Sequence, residues 1–268
     1  MDKTQLINRY SANDEQRILL SHIYDLRIKR DSRNVITVSN FLSDSECTLA
    51  DLMLSKIGTA NYTLYGGYPE AERRCVVFLP DYFSIDDIIT QPALSELLFV
   101  KVSVDKFHSD AELSHRDVLG SLMGLGIERS SVGDIVADGN EAVFVIKSRL
   151  CDYIKDNMLK ISRYNVNVNV FVHYNIVPRH DYVEDSDTVA SMRLDAVVSS
   201  VFSISRSAAS ERITGGFVTV NGMDISKPDV TVNNGDKLTL RGKGKAVIIK
   251  QDGFSKKGRI RFIYRRYK

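Results

Sequence analysis

Hydrophobic positions recur first at helical and then at strand spacing in the N-terminal part of the chain. Apolar residues at helical intervals over 14–30, and again from Ser43 to Gly58, predict two helices. Two strand-like runs at 62–65 and 75–79 follow, joined by the glycine-rich loop GGYPEAERR. Mixed charges in such a loop predict a solvated turn, with a functional role for Arg73 and Arg74 as the alternative.

The middle of the chain shows the order strand, helix, strand, strand, helix, strand. Its elements are predicted at 98–104, 114–125, 132–137, 142–147, 148–161 and 164–173. This order, with a tight turn at Asp138-Gly139-Asn140, predicts a ferredoxin-like split βαβ domain, a topology that RNA-recognition motifs share. Those motifs stack bases on aromatics of the central strands, where this sequence offers Phe99 and Phe144 and no KGFGFV-like run. The pattern therefore supports the topology but not RNA binding by this sheet.

In the C-terminal part, two short helical patterns meet at Ser205-Arg206-Ser207, and Gly215-Gly216 ends the second. Strand-like runs follow at 217–220, 230–232 and 237–240, and then at 246–251 and 259–264 around Asp252-Gly253. Ser205 is predicted to cap the second helix, which places Arg206 in its first turn. Because the positive end of a helix and an arginine both attract anions, a phosphate is the expected ligand there. The alternative is an ordinary helix-turn-helix in a small core.

These patterns predict an α+β chain whose 268 residues exceed one typical domain. We expect an N-terminal helical/α+β domain at 1–80, an RRM-like βαββαβ domain at 81–175, a linker at 176–191, and a C-terminal domain with a basic hairpin tail at 192–268. The linker is expected because its segment has low apolar content, one proline and four acidic residues.

Charge is distributed unevenly, although the whole chain carries a net charge of +2. Residues 1–192 hold 20 Lys and Arg against 28 Asp and Glu, whereas residues 193–268 hold 16 against 6. The excess lies in 241–268, where 11 basic residues accompany one aspartate and alternate with aromatics. Such interleaving predicts RNA contact, because lysine and arginine follow the backbone while aromatics stack on bases. The alternative is a charged, solvated edge strand.

Several classes of function find no support in the residues. Three widely spaced cysteines and five histidines form neither a disulfide framework nor a metal-binding spacing. No nucleophile motif and no glycine-rich cofactor loop occur, so we expect no catalytic residue, no metal and no cofactor. The sequence contains no apolar run of about 18 residues and no N-terminal signal core, so a cytoplasmic protein without membrane insertion is expected.

The C-terminal motifs carry a family resemblance. The stretch RLDAVVSSVFSISRSAASERITGGFVTVNG, followed by Pro228 and VNNGDKLTLRGKG, resembles an S4 RNA-binding domain. The matching positions are Arg193, Asp195, Ser205, Arg206, Ser207, Ile213, Gly216, Val218, Val220, Asn221, Gly235 and Asp236. The segments GGYPEAER (66–73), HRDVLGSLMGLGIERSSVGDI (115–135) and KKGRIRFIYRRYK extend the resemblance to the bacterial YlmH family over nearly the whole chain.

That resemblance implies a non-enzymatic protein that binds structured ribosomal RNA and tRNA. It also implies association with the large ribosomal subunit that carries stalled peptidyl-tRNA, in ribosome-associated quality control. The residues expected to bind RNA lie in the S4 helices and the basic tail: Arg193, Ser205, Arg206, Ser207, Arg212, Lys243, Lys245, Lys256, Lys257, Arg259 and Arg261.

Two other classes of function stay open. The first is a protein–protein adaptor, for instance a partner of a cell-division protein, in which the acidic residues 1–174 bind the partner. The second is an RNA-modifying enzyme targeted by its S4 domain, since RLD at 193–195 superficially resembles the catalytic aspartate motif of pseudouridine synthases. That motif continues with a threonine-containing turn, whereas this sequence continues AVVSS, so we interpret Asp195 as part of the S4 helix.

Overall fold

The computed structural model describes residues 2–105, 111–175 and 182–267. The chain divides into two compact units, Met1–Pro178 (unit 1) and Arg179–Lys268 (unit 2). Within the described ranges, no helix is both long and apolar enough to cross a membrane.

Unit 1 combines α-helices with two antiparallel sheets. Its helices are α1 (Lys3–Tyr10), α2 (Asp14–Arg33), α3 (Asp44–Lys56), α4 (Ile85–Thr90), α5 (His115–Gly124) and α6 (Cys151–Asn157). Its strands are β1 (Thr37–Val38), β2 (Tyr62–Tyr65), β3 (Cys75–Phe78), β4 (Leu97–Val104), β5 (Val132–Asp138), β6 (Glu141–Lys147), β7 (Lys160–Ile161) and β8 (Tyr164–Phe171).

The N-terminal helices pack on a small sheet of order β1-β3-β2. α3 begins where the sequence predicts because Ser43 and Glu46 form a capping box, in which Ser43 N donates to Glu46 Oε2 at 2.7 Å and Glu46 N donates to Ser43 Oγ at 3.4 Å. Leu20 and Met53 are fully buried against Phe78 of β3. The two helices predicted near the N-terminus are therefore confirmed as α2 and α3.

The central sheet has the strand order β5-β6-β4-β8-β7 and is antiparallel throughout. Its four long strands follow the ferredoxin-like order, which confirms the topology predicted from the sequence. α5 and α6 cover one face of this sheet through a buried cluster that includes Val118, Ile154 and Phe144.

The second helix of this domain is shorter than predicted. α6 ends at Asn157, whereas the sequence pattern extends it to Ile161. Ile161 instead pairs with Tyr164 in the hairpin of β7 and β8, and Ser162 in the turn has a φ of 53°. Burial of Ile161 satisfies a strand position as well as a helical one, so periodicity alone cannot separate the two.

The opposite face of the central sheet is covered by the N-terminal segment. Phe99 of β4 and Val145 of β6 lie in one buried cluster with Phe41, Tyr68 and Val77. The segments 1–80 and 81–175, expected as separate domains, therefore share a hydrophobic core and belong to one compact unit.

Most of the loop GGYPEAERR is buried or half-buried, and only its tip at Pro69 and Glu70 is exposed, so the predicted solvated turn is wrong for the greater part of the loop. Gly67 has a φ of +99°, and a Cβ there would lie 3.1 Å from Val145 Cγ1 and 3.3 Å from Phe99 Cζ. Glycine alone satisfies both the left-handed backbone and the close approach to the sheet. Tyr68 and Ala71 are buried as well. The two arginines of the loop find partners inside the protein, whereas Glu70 is exposed.

Asp134 of β5 fixes this loop on the central sheet. Its carboxylate accepts hydrogen bonds from Tyr68 Oη at 2.6 Å, Glu72 N at 2.7 Å and Arg73 N at 2.9 Å. Burial and the neighbouring carboxylate raise the pKa of Tyr68, so its hydroxyl stays a donor.

Arg73 and Arg74 fasten the same loop. Arg73 donates from Nε to Val132 O and from Nη2 to Phe41 O, each at 3.1 Å. Arg74 Nη2 lies 3.1 Å from Asp44 Oδ1. The described contacts of both guanidinium groups are thus internal to unit 1, which favours a structural role over the functional alternative.

Unit 2 packs two helices on one antiparallel sheet. Its elements are β9 (Tyr182–Val189), α7 (Leu194–Val201), α8 (Arg206–Thr214), β10 (Val218–Val220), β11 (Met223–Asp224), β12 (Lys237–Leu240), β13 (Gly244–Phe254) and β14 (Ile260–Tyr267). The strand order is β11-β10-β12-β13-β14-β9. The core joins α7 and α8 to the sheet through residues such as Val197, Ile213, Leu238 and Phe262.

Part of the predicted linker is a strand. Residues 182–189 form β9, which pairs with β14 along its whole length from Tyr182↔Tyr267 to Val189↔Ile260. Residues 176–181 of that linker lie outside the described residues. The acidic composition that indicated a linker instead suits an edge strand beside a basic one, where Glu184 Oε2 lies 2.9 Å from Arg265 Nε.

The terminal hairpin turns later than the sequence predicts. Asp252-Gly253 lies at a register shift within β13, and the chain reverses at 255–259, where Ser255 N donates to Arg259 O at 2.7 Å. A second difference concerns the strand predicted at 230–232, of which an isolated bridge between Thr231 and Arg193 is observed.

Candidate nucleic-acid interface

Asp195, in the first turn of α7, brings Arg193 and Arg206 together. Arg193 donates from Nε and Nη2 to the two carboxylate oxygens, each at 3.2 Å. Arg206 donates to Oδ2 from Nε at 3.2 Å and from Nη2 at 3.1 Å. The Asp195 side chain is 8 % exposed, whereas those of Arg193 and Arg206 are 42 % and 56 % exposed. These two guanidinium groups, called the arginine pair below, are held from inside and open to solvent.

Arg193, Asp195 and Arg206 together carry one net positive charge. Hydrogen bonding to Asp195 raises the pKa of Arg193, and Asp229 lies close enough to contribute to that rise. Burial alone would raise the pKa of Asp195, but hydrogen bonds from Arg193 and Arg206 hold it below its ordinary value of 3.8. A guanidinium has five N–H donors, and Asp195 engages Nε and Nη2 of each arginine, so donors remain for an external phosphate. Asp195 itself takes the anion position that the sequence assigns to a phosphate beside Arg206. An RNA phosphate therefore has to approach the exposed side of the pair.

The start of α8 agrees with the sequence prediction. Ala208 N donates to Ser205 Oγ at 3.1 Å, which makes Ser205 the N-cap and Arg206 the first helical residue. Ser207 Oγ lies 3.0 Å from Ser205 Oγ. The cap fixes where α8 begins and thereby the position from which Arg206 reaches Asp195.

A second arginine cluster surrounds Phe217. The guanidinium carbons of Arg212 and Arg241 lie 5.3 Å and 5.5 Å from the Phe217 ring centroid. Both distances fall within cation–π range, so the ring orients two cations at the surface. Phe217 is 37 % exposed. The sequence indicates Arg212 as an RNA-binding residue but not Arg241 or Phe217, because no local pattern around Phe217 shows that residue 241 lies beside it.

The basic hairpin of β13 and β14 contains arginines that hydrogen-bond to β9, together with other cations that are exposed at its turn and on β14. Arg259 donates from Nη2 to Thr188 O at 2.8 Å. Lys256 and Lys257 lie in the exposed turn, near Phe254, which is 76 % exposed. Arg261 is exposed on β14. β14 lies between β13 and β9, so the basic strand is internal to the sheet rather than an edge strand.

The remaining predicted residues are both exposed: Lys243 lies in the turn between β12 and β13, and Lys245 follows it at the start of β13. The predicted RNA-binding residues thus fall into four places: the start of α7 and α8, the Phe217 cluster, the β12–β13 turn and the terminal hairpin. The structure brings Arg193 and Arg206 into direct contact with one carboxylate but does not gather all the predicted residues at one point.

The central sheet of unit 1 offers little to an RNA base. Phe99 and Phe144, the aromatics that the sequence offers on the central strands, are 2 % and 0 % exposed. Phe99 is covered by the N-terminal segment, and Phe144 lies on the other face, under α5 and α6. Arg129 donates from Nη1 to Val132 O at 2.6 Å and Gly133 O at 3.0 Å. Burial, with the nearby Arg73, lowers the pKa of Arg129 to about 10. Phe99, Phe144 and Arg129 therefore serve the fold.

Two family models match the chain. Residues 192–238 match the S4 domain, and residues 96–174 match the putative RNA-binding domain in YlmH. Together with the fold of unit 2, these matches define an S4-domain protein of the RNA-binding class. A relative from Bacillus subtilis (strain 168), the ribosome-associated protein quality control protein P2, is 29 % identical over 204 residues, which cover 76 % of this chain and 77 % of the relative. These matches support a relationship of the chain to the YlmH family.

A solved structure also resembles the chain. The cell division protein ylmH from Streptococcus pneumoniae aligns with a TM-score of 0.47 and 23 % identity, covering 60 % of this chain and 93 % of that protein.

Proposed function

We propose that this protein binds structured ribosomal RNA and tRNA through its S4 domain. It acts on the large ribosomal subunit that carries stalled peptidyl-tRNA, in ribosome-associated quality control, and therefore in the cytoplasm. The arginine pair carries the proposal, because Asp195 orients two exposed guanidinium groups toward solvent within the S4 domain. The name of the Bacillus relative supports the ribosomal setting.

The contacts of Asp195 favour binding over catalysis. Both oxygens of its carboxylate accept hydrogen bonds from arginines, and Ala196 N donates to Oδ1 at 2.8 Å. A catalytic carboxylate has to reach the reacting atoms of a substrate. This one instead positions neighbouring side chains, which supports a non-enzymatic role.

Equilibrium binding to fragments of large-subunit ribosomal RNA and to tRNA tests the proposal. We expect a steep salt dependence, because about six phosphate contacts give a slope of roughly −4 to −5 in a log–log plot. Arg206→Ala should weaken binding, whereas the matched control Lys227→Ala, at an exposed position outside the predicted set, should bind as the wild type does.

Two outcomes would contradict the proposal. The first is a salt slope near zero on ribosomal RNA. The second is equal binding by Arg206→Ala and the wild type while the protein fails to sediment with large subunits. The adaptor role and a cell-division partner stay predictions, which a pull-down with the full chain and the non-binding variant would test.

A further inference from the structure

A cavity of about 740 Å³ opens in unit 2 at the C-terminal end of α7. Its walls are the end of α7, the turn between β12 and β13, and the facing ends of β9 and β14. Small-molecule sites typically measure about 300–1,000 Å³. An α-helix rises about 1.5 Å per residue, so Val201 in the cavity wall lies roughly 9 Å along α7 from Asp195. The cavity is therefore separate from the arginine pair.

The polar lining of the cavity is predominantly cationic. Lys243, Lys245 and Arg266 contribute three positive charges and Asp185 one negative charge. The guanidinium carbon of Arg266 lies 5.9 Å from the Phe202 ring centroid, which limits its freedom. An excess of two positive charges in a concave site favours a phosphate.

The turn that carries the two lysines leaves room for such a phosphate. Gly242 and Gly244 alternate with Lys243 and Lys245, and their φ angles are +83° and +106°. These left-handed conformations favour glycine, and the absence of side chains lets a ligand approach the backbone between the lysines.

The rest of the lining suits a flat ring. Tyr264 is 7 % exposed, and Val201 stands in the same wall. Tyr267 borders the cavity at the end of β14, but its side chain alternates to the other face of the sheet from Tyr264. Val183, at the opposite side on β9, is 49 % exposed. Asp185 can accept hydrogen bonds from the amino group of a base, as carboxylates do in nucleic-acid recognition. Aromatic, apolar and acceptor groups thus lie within one cavity together with cations, which matches the two halves of a nucleotide.

We propose that this cavity receives one unpaired nucleotide of the bound RNA. The base packs against Tyr264 and Val201, and the phosphate lies among Lys243, Lys245 and Arg266. A free nucleotide has the same chemistry as a nucleotide within an RNA chain. The choice of RNA as the ligand therefore rests on the proposed function. The RNA is favoured since the arginine pair and the basic hairpin belong to the same unit and supply contacts for the flanking backbone.

Two hairpin RNAs test the assignment: one with a single unpaired nucleotide, carrying 4-thiouridine there, and the same hairpin fully paired. Wild type should prefer the first by on the order of tenfold, the scale of one stacked base. Val183→Trp fills the cavity mouth without a change of charge and should abolish the preference. Ser186→Trp is its control, since residue 186 lies on the other face of β9.

A second pair of variants tests the contribution of the lysine charge in the cavity. Lys243→Gln should lower affinity for the unpaired hairpin more than Lys227→Gln, which removes the same charge outside the cavity. Irradiation should crosslink the thiouridine to the peptide that contains Tyr264 in wild type and in Ser186→Trp, but not in Val183→Trp.

Three results would overturn the inference. One is equal binding of both hairpins with the salt slope intact, which leaves the proposed function standing. Another is a crosslink confined to α8 or to the 255–259 turn. The third is saturation of the cavity by guanosine monophosphate without competition from the RNA. Failure to bind any RNA with salt dependence would instead refute the proposed function.

Discussion

Arginines of the two units are used in opposite ways. In unit 1, Arg73 and Arg129 are half-buried and donate to backbone carbonyl oxygens. In unit 2, Arg193 and Arg206 are oriented by one buried carboxylate and keep about half of their side-chain surface exposed. A guanidinium group that donates its hydrogen bonds to backbone carbonyl oxygens of the same protein stabilises the fold. One that is positioned by a partner and still exposed is available for a ligand.

The two units also differ in how far the groups that could contact RNA are exposed. The face of the central sheet that carries Phe99 is covered by the N-terminal segment, although its topology is that of an RNA-recognition motif. The S4 unit keeps its arginine pair, its Phe217 cluster and the hairpin turn at the surface. The topology of a sheet therefore does not identify an RNA-binding surface. Whether another segment covers the face of the sheet determines whether RNA can reach it.

Phe262→Ala tests most directly whether the basic hairpin is part of the folded core of unit 2. Phe262 of β14 is fully buried, so its truncation should destabilise unit 2 by about 3–5 kcal/mol. Hydrogen exchange resolved by unit would measure the loss in unit 2 and unchanged protection in unit 1. Unchanged stability of unit 2 would mean that β14 is a dispensable tail. Because β14 is internal, a deletion of 253–268 would confound folding with RNA binding.

In unit 1, Asp134→Asn should lower the free energy of unfolding by about 2–3 kcal/mol. The carboxylate accepts hydrogen bonds from Tyr68 and from two backbone amides of the loop, and an amide in its place would weaken them. RNA affinity should stay at the wild-type value. Urea unfolding and RNA titration of the same samples give both quantities, with exposed Glu112→Gln as the charge-matched control. Weaker RNA binding without destabilisation would place this loop in the interface after all.

Asp195→Asn should destabilise unit 2 by about 1–2 kcal/mol at neutral pH, less than a fully buried pair because both arginines are partly exposed. The pKa of Asp195 is lowered in the folded state, so its contribution is present above the ordinary value of 3.8 and is lost as the pH falls through the folded pKa. Unfolding curves at neutral and strongly acidic pH should show the two proteins converging in acid. A constant difference at all pH values would contradict the ionised pair.

The selectivity of the arginine pair is tested by Arg206→Ala. This variant should bind the cognate RNA roughly tenfold more weakly and lose less on unrelated RNA, because a placed bidentate donor distinguishes geometry as well as charge. Arg206→Lys keeps the charge and should recover part of the loss. Equal losses on every RNA would show that the pair supplies bulk charge alone.

The smallest expected loss of affinity comes from Lys256→Gln with Lys257→Gln at the exposed turn. Removing two phosphate contacts should flatten the log–log salt slope by roughly 1 to 2 on all RNA alike. The double variant leaves the buried positions of β14 untouched, so thermal unfolding should match the wild type. A selective effect on the cognate RNA would move specificity from the helices to the hairpin.

The sequence by itself determined the local features of this protein. Ser43 and Ser205 begin α3 and α8 as predicted, since a cap needs only the first turn of its own helix. Strand periodicity located β4, β5, β6 and β8 within a few residues, and the S4 motif located α7 and α8, at whose starts Arg193 and Arg206 lie.

The tertiary structure decided what each polar group faces. Tyr68 and Asp134 are 66 positions apart, and no local pattern announces that a charged glycine loop will be buried against a distant strand. β9 looked like a linker because its strand partner, β14, lies more than 70 residues later. Arg206 reaches Asp195 across 11 positions. Burial and pairing are set by contacts distant in sequence, and these contacts separate arginines that fasten the fold from those left for RNA.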